Sequence, residues 1–291
     1  MKRKAKQAAL DAAQALQAES AQNTQTDFRG FRRRAERMTD CVIDAMFPRH
    51  AKTPAAPKRM LREASKHLVR CLSTVLSDAD RAEAIAGTFF GALPEVFGML
   101  RADLEAAYRG DPAAHSVDEI ILCYPAFFAI CTYRLAHVLY RAGVPLLPRV
   151  MTEYAHQKTG IDIHPGAQIG EEFFIDHGTG VVIGETCTIG RNVKIYQHVT
   201  LGAKSFNVDG SGALVKGIKR HPDIGDRVVI YSGATILGGE TQIGNDCIIG
   251  GSVWLTHSVE AGKMVLARST VTDAPLTRDV MHASVLDSAL L

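Results

Sequence analysis

The sequence contains 291 residues, of which 46% are hydrophobic and 22% are charged, a composition typical of a globular chain of one or two domains with a real core. The formal net charge is only +2, so charge gives no reason to expect nucleic acid or a membrane surface as a partner. No run of about 18 apolar residues occurs, so no membrane-spanning helix is predicted. The basic N-terminus lacks the apolar stretch of a secretory signal.

The first half of the chain has helical periodicity. Residues 1–27 are polar and of low complexity, which predicts a flexible segment or a frayed helix. A helical domain is predicted over 28–158. One helix runs from Asp27 to Phe47, and a second over Lys58–Leu76 carries its apolar residues on one face.

Two capping signals predict where later helices begin. Ser77 is followed three residues later by Asp80, and Ser116 is followed in the same way by Glu119. The segment after Ser116 is apolar on most sides, which predicts a buried helix.

From Gly160 onward an aliphatic residue recurs every six positions, often followed by glycine. This period fits neither a helix nor a simple hairpin; it predicts a β-helix over 159–272, in which three hexapeptides form the three sides of one coil. The aliphatic residue points inward and stacks on its equivalents in adjacent coils. A tail is predicted over 273–291. The repeating positions are Ile163, Ile169, Ile175, Ile183, Ile189, Ile195, Leu201, Ile224, Ile230, Ile236, Ile243, Ile249 and Leu255.

The six-residue period breaks between Leu201 and Ile224. Residues 204–219 (KSFNVDGSGALVKGIK) show no core pattern, which predicts a loop that leaves the coil. Such a loop can reach a neighbouring β-helix.

Six scattered cysteines form no CxxC pair and no metal-ligand spacing. Single cysteines in a chain of this length are usually small buried residues of a protein kept in a reducing compartment. The sequence therefore predicts a cytoplasmic protein without a metal site.

Charged residues and histidines near the corners of the β-helix are candidates for chemistry, because its wall needs only small and apolar residues. They occur in the runs DIHPGAQIG, DHGTGVVIGET and RHPDIGD. In this order, and with VTLGA between the last two, these runs resemble serine acetyltransferases of the hexapeptide acyltransferase family. The upstream runs DPAA and YPAFFAICTYRLAH resemble that family's helical domain, so the resemblance covers roughly residues 110–265.

The resemblance implies an α+β fold, with an N-terminal α-helical domain followed by a left-handed parallel β-helix of hexapeptide repeats. It also implies transfer of the acetyl group of acetyl-CoA to the hydroxyl of L-serine, the first step of cysteine biosynthesis, without a metal. His177 is the candidate general base, because a histidine can take the hydroxyl proton at neutral pH. By resemblance, Asp162 orients His177, and His221 holds the hydroxyl or assists proton transfer.

The other site residues follow from the charges of serine. Arg220 suits the substrate carboxylate, because a guanidinium binds it bidentately. Asp111 and Asp176 match the family's acidic residues for the serine ammonium. The family places CoA in a groove lined by small residues, and the matching positions are Ala203, Ser232 and Gly251.

The resemblance also implies a homotrimer with three shared active sites, paired by the helical domains into a hexamer. Three features depart from the family pattern. The loop before Arg220 is longer, the run MVLARSTVTDAP over 264–275 replaces the usual sequence near the CoA adenine, and the chain ends at Leu291 rather than isoleucine. The terminal isoleucine binds cysteine synthase in the family, so we do not count on that complex here.

Three other hypotheses stay open. The chain could acetylate another small hydroxyl or amine acceptor, although Arg220 and Asp111 favour an amino acid over a sugar. It could be a zinc enzyme like the γ-class carbonic anhydrases, but the three-histidine spacing is not found. It could be a non-catalytic scaffold for cysteine synthase or another partner, against which Asp162, His177 and His221 argue.

Overall fold

The structure, a computed structural model, describes residues 5–14, 28–48 and 56–268. Its first part is helical, and the predicted helices before Pro48 and after Lys58 are both present. The remainder of 1–27 and the predicted tail over 273–291 with Leu291 lie outside the described residues. The helices are α1 (5–14), α2 (Phe31–Met46), α3 (Ala56–Val75), α4 (Ala79–Gly110), α5 (Val117–Cys123), α6 (Pro125–Arg141) and α7 (Leu147–Thr159).

The two predicted caps have different outcomes. Ser116 Oγ accepts a hydrogen bond of 3.1 Å from the backbone N–H of Glu119, which confirms the cap of α5. The prediction for Ser77 is wrong by one residue, since Asp78 caps α4 and its carboxylate accepts from the N–H of Arg81 at 3.0 Å. A carboxylate at this position also interacts favourably with the positive end of the helix dipole.

The apolar segment after Ser116 forms two helices, α5 and α6, with a bend of 79° between them. The bend lies at Tyr124–Pro125, because a proline disfavours helical geometry at the preceding residue. No single helix in the described ranges is long and apolar enough to cross a bilayer, and α5 and α6 reach that length only together. Most of α6 is buried in the core, as predicted.

A buried ion pair joins the helices to the β-helix. Arg134 on α6 contacts both carboxylate oxygens of Asp103 on α4 at 2.6 and 2.8 Å, and both residues are almost fully buried. The guanidinium also donates to the carbonyls of Ile169 and Gly170. Asp103 in turn accepts from the N–H of Phe173 at 2.9 Å. The pair therefore satisfies backbone groups of the first coil.

We expect Arg134→Met to lower the free energy of unfolding by about 3–5 kcal/mol, because it leaves the Asp103 carboxylate buried without a counter-charge. Urea unfolding at a fixed protein concentration measures this change. Arg109→Met is the control, since Arg109 is exposed and lies 4.0 Å from Glu172; such a surface pair contributes at most about 1 kcal/mol. Equal effects of the two substitutions would contradict the assigned role of the buried pair.

The chain from Asp162 onward forms a left-handed parallel β-helix. Its strands are short and pair in register with the strands one coil away, so that Ile183 lies between Ile163 and Leu201. The strands are β1 (Asp162–Ile163), β2 (Gln168–Ile169), β3 (Phe174–Ile175), β4 (Val182–Ile183), β5 (Thr188–Ile189), β6 (Lys194–Ile195), β7 (Thr200–Gly202), β8 (Asp223–Ile224), β9 (Val229–Ile230), β10 (Thr235–Leu237), β11 (Gln242–Ile243), β12 (Ile248–Ile249), β13 (Trp254–Leu255) and β14 (Met264–Val265).

Three parallel sheets form the faces of the prism. Face 1 contains β1, β4, β7, β10 and β13; face 2 contains β2, β5, β8 and β11; face 3 contains β3, β6, β9, β12 and β14. All thirteen predicted repeat positions are buried, which confirms the periodic pattern as the core of the prism.

Two irregularities interrupt this regular wall. Ile183 lies eight positions after Ile175, whereas Leu201 lies six positions after Ile195, so the corner between β3 and β4 contains two extra residues. The second irregularity is the predicted loop 204–219, which leaves the wall between β7 and β8. The loop is largely exposed.

Candidate active site

The extra residues between β3 and β4 place a histidine on the outside of the prism. His177 has a positive φ of 58° and is followed by Gly178 at 89°, so the chain turns outward there. The His177 side chain is 71% exposed, and its Nε2 lies 3.8 Å from Oδ1 of Asp176. The candidate base is therefore open to a substrate and lies next to a carboxylate.

Residues of the helical part complete this corner. Asp176 Oδ2 lies 3.2 Å from Nζ of Lys194, which also donates to the carbonyl of Gly110 at 2.7 Å. The next residue, Asp111, accepts a hydrogen bond from the hydroxyl of Tyr124. We call Asp111, Tyr124, Asp176, His177 and Lys194 the β3 corner group.

Hydrogen bonding favours the ionised form of Asp111. The Tyr124 hydroxyl and, next, the N–H of Ala113 hold the pKa of the Asp111 carboxyl below its ordinary value. The same hydrogen bond raises the pKa of Tyr124 to about 12. Two carboxylates, Asp111 and Asp176, therefore lie at this corner with one lysine, which leaves an excess of negative charge for a cationic ligand.

A second group lies at the other edge of face 1, where β4 ends and β8 begins. Nη2 of Arg220 contacts Oε2 of Glu185 at 2.6 Å. Oε1 of Glu185 accepts from the Tyr140 hydroxyl at 3.0 Å. His221 follows Arg220, and Thr186 follows Glu185. We call Glu185, Thr186, Arg220 and His221 the β8 corner group.

His221 is buried and neutral at pH 7. Burial and, next, the charge of Arg220 lower its pKa to about 4. Nδ1 of the imidazole accepts a hydrogen bond of 3.1 Å from the N–H of Thr186. The ring lies against Gly184, where a Cβ would come within 2.0 Å of Cδ2 of His221, so glycine is required beside it.

Asp162 does not contact His177 in the single chain. Its Oδ1 accepts from Nη1 of Arg149 at 3.1 Å, and no hydrogen bond in the described part of the chain joins it to His177. Glu153, His156 and Asp162 lie within 4.8 Å of one another, but Arg149 forms ion pairs with both carboxylates of this set. The orienting role of Asp162 stays a prediction.

The two corner groups do not meet within one chain. The β3 corner group lies between faces 3 and 1, and the β8 corner group lies between faces 1 and 2. The width of one face separates them, roughly 15 Å for five extended residues. No hydrogen bond or ion pair among the described residues links the two groups.

The predicted CoA-binding residues are also divided between corners. Ala203 follows β7 and lies on the side of the β8 corner group. Ser232 and Gly251 follow β9 and β12 on the side of the β3 corner group, and a Cβ on Gly251 would lie 3.2 Å from the carbonyl oxygen of Ser232.

Proteins of known identity resemble this chain in sequence and structure, although no protein-family model matches it. The plasmid serine acetyltransferase of Synechococcus elongatus is 59% identical over 187 residues, which cover 64% of this chain and 58% of that protein, less than two thirds of its length. The serine acetyltransferase of Bacillus licheniformis is 43% identical over 195 residues, which cover 66% of this chain and 86% of that protein.

A solved structure of another serine acetyltransferase is also similar to this chain. Serine acetyltransferase 1 of Entamoeba histolytica, in complex with L-cysteine, has a TM-score of 0.74 and 40% identity, covering 79% of this chain and 86% of that one. The chain belongs to the serine acetyltransferase family. Its members are acyltransferases that use acetyl-CoA as co-substrate, and the predicted fold class is confirmed.

The two corner groups also contain residues that were not predicted from the sequence, among them Lys194, Tyr124 and Thr186. Lys194 occupies an outward position of β6, and its proximity to Asp176 depends on the stacking of two coils. Tyr124 immediately precedes Pro125 and reaches Asp111 only because α5 and α6 bend there. Thr186 lies within the run GET of DHGTGVVIGET, so its position in the motif was a usable signal.

We expect the low pKa of His221 to make the folded protein sensitive to acid. Its folded pKa of about 4 lies below the ordinary value of 6.5, so the unfolded chain binds more protons as the pH falls from 6.5 to 4. The free energy of unfolding is therefore not reduced by His221 above pH 6.5, and it decreases as the pH falls from 6.5 to 4. Thermal unfolding at pH 7.5 and 5.0 should show a smaller decrease in Tm for His221→Gln than for the unchanged chain. An identical decrease would refute this explanation.

Proposed function

We propose that this chain transfers the acetyl group of acetyl-CoA to the hydroxyl of L-serine, giving O-acetyl-L-serine and CoA. The observation that carries the proposal is the exposed His177 beside the carboxylates of Asp176 and Asp111. Such a corner presents a proton acceptor next to a site for an ammonium group. An amino acid with a side-chain hydroxyl fits both features.

His177 is the general base of this proposal. It accepts the serine hydroxyl proton while the oxygen attacks the thioester carbonyl, and the tetrahedral intermediate then expels the CoA thiolate. The proton on His177 returns to that thiolate, so the base is regenerated. Asp176 is the carboxylate that the chain places beside the imidazole, and Asp162 keeps its proposed orienting role.

The β8 corner group of a second copy supplies the rest of the proposed site. Arg220 binds the serine carboxylate in a bidentate manner, and His221 contacts the reacting groups. The separation of the two corner groups within one chain supports a homotrimer in which each site is shared. Pairing of trimers into a hexamer through the helical domains is part of the same proposal.

Acetyl-CoA lies in the groove between two β-helices in this arrangement. Ala203 of one copy faces Ser232 and Gly251 of the next, so small residues from both corners line the groove. The division of these residues between the two sides of face 1 supports such a groove.

Thiol release from acetyl-CoA tests the function. The full chain is assayed with a thiol-reactive dye and with L-serine, homoserine or a simple sugar as acceptor. We expect release that depends on L-serine and is lost in His177→Asn. Release with another acceptor alone would overturn the substrate, and no release with any acceptor would favour the scaffold hypothesis.

The proposal also covers inhibition by cysteine and the compartment in which the protein lies. The Entamoeba histolytica relative was solved with L-cysteine, which differs from serine only in its thiol. We propose that cysteine binds the serine site and inhibits; unchanged activity in millimolar cysteine would exclude this. We propose a cytoplasmic location, because scattered cysteines that form no disulfide among the described residues are typical of a reducing compartment. A complex with cysteine synthase is not part of the proposal.

A further inference from the structure

Both the backbone and the side-chain hydroxyl of Thr186 form hydrogen bonds at His221. Thr186 Oγ1 accepts from the backbone N–H of Arg220 at 3.0 Å and from that of His221 at 3.2 Å. The hydroxyl hydrogen is therefore free to donate elsewhere. His221 Nδ1 lies 2.9 Å from the same oxygen and is an acceptor in the correct position.

A second bond decides which imidazole nitrogen carries the hydrogen. The backbone N–H of Thr186 also points at Nδ1 of His221, at 3.1 Å. A backbone N–H can only donate, so Nδ1 must present its lone pair. A neutral imidazole has one N–H, and that hydrogen is consequently on Nε2.

The charged groups around the ring favour the same neutral state. Arg220 and Lys219 oppose a positive charge on His221, as does His164 to a smaller extent. Glu185 favours the charge, but its carboxylate is already engaged by Arg220 and Tyr140. If Nδ1 carried a proton, its N–H and the backbone N–H of Thr186 would point at each other. The imidazole also packs against Gly184, where a Cβ would come within 2.0 Å of its Cδ2.

We propose that Thr186 is a positioning residue that holds His221 as the Nε2–H tautomer, so that His221 acts as a neutral hydrogen-bond donor and not as a proton acceptor. This inference rests on the proposed function and specifies the role of the second histidine in it. Nε2–H donates to the oxygen that gains negative charge when the thioester carbonyl is attacked. Proton acceptance is then left to His177.

The tautomer is tested first by carbon–proton correlation spectra of the full chain labelled at histidine. His221→Gln assigns the signal among the 11 histidines. We expect the Cδ2 shift of an Nε2–H imidazole, constant from pH 5.5 to pH 8. A signal of the Nδ1–H tautomer, or a titration centred near neutrality, would overturn the proposal. This readout does not depend on the acceptor, so it separates the inference from the proposed function.

Two pairs of variants test the consequence for the reaction. A glutamine amide nitrogen can replace Nε2, whereas an asparagine amide nitrogen replaces Nδ1; we therefore expect His221→Gln to keep at least tenfold more kcat than His221→Asn. Thr186→Val removes the hydroxyl bonds to Arg220 and His221 but keeps the backbone N–H at Nδ1, so the His221 signal should stay that of the Nε2–H tautomer. The less firmly held imidazole should lower kcat at least tenfold, with a much smaller change in the KM for serine. Thr186→Ser keeps the hydroxyl and should therefore recover most of the kcat that Thr186→Val loses.

Equal losses in the two His221 variants, or full kcat in Thr186→Val, would refute the donor role. Thermal unfolding of each variant identifies a protein that has lost its fold. If Thr186→Val does not fold, the His221→Gln and His221→Asn pair still decides the question, because both leave Thr186 in place.

Discussion

His177→Asn is expected to lower kcat for serine acetylation by about 10²–10⁴-fold, the usual contribution of a general base. Asparagine is the suitable replacement, because it tolerates the positive φ of 58° at this corner, where alanine would add backbone strain. The side chain is 71% exposed, so its loss should leave the fold and the Tm unchanged. Initial rates of thiol release over a range of serine concentrations measure the effect.

The matched control is His67→Asn, which makes the same chemical change on α3, far from both corner groups. We expect it to retain the activity of the unchanged chain. Asp162→Asn and Asp176→Asn then identify the carboxylate that assists the base: the variant with the larger decrease in kcat marks it. Retention of more than a tenth of kcat in His177→Asn would exclude His177 as the base.

Mixing two inactive variants is expected to restore activity if each site is shared between copies. His177→Asn damages only the β3 corner group, and Arg220→Met damages only the β8 corner group. At low serine concentration we expect Arg220→Met to lower the rate by roughly 10- to 100-fold, because it removes charge-assisted hydrogen bonds to the carboxylate. Coexpressed in equal amounts, the two chains should regain about one quarter of the sites in a symmetric trimer.

The recovery has a direct control. His177→Asn coexpressed with Asp176→Asn combines two defects of the same corner group, so no mixed trimer can contain an intact site with both residues. We expect no recovery above the separate variants there. If His177→Asn and Arg220→Met likewise show no recovery in trimers verified to be mixed, the two groups act within one chain and the shared site is wrong.

Several corner residues could be predicted from the sequence, but their contacts could not. The run DHGTG predicted His177 and Asp176 as site residues, because charged residues and histidines stand out in a wall that needs only small and apolar residues and because the run resembles the family. Arg220 was expected to be available for a substrate carboxylate, but in the free chain it is bonded to Glu185. Glu185 lies in the run DHGTGVVIGET, far from Arg220 in sequence, and only the stacking of coils places the two side chains together.

The sequence by itself determined the β-helix, because every coil must place an aliphatic residue inside at each side, and this requirement repeats every six residues whatever the rest of the chain does. It predicted His177 as the candidate base for a different reason, since a histidine near a corner of the wall can take a hydroxyl proton and lies in a run that resembles the family. The tertiary structure alone decided the partners of each group. Lys194 meets Asp176, Tyr124 meets Asp111 and Thr186 meets His221, since residues far apart in sequence become neighbours when coils stack and helices pack on them. It also decided that the two corner groups lie on different edges of face 1, because the edge a residue occupies depends on the strand that precedes it and not on its own side chain.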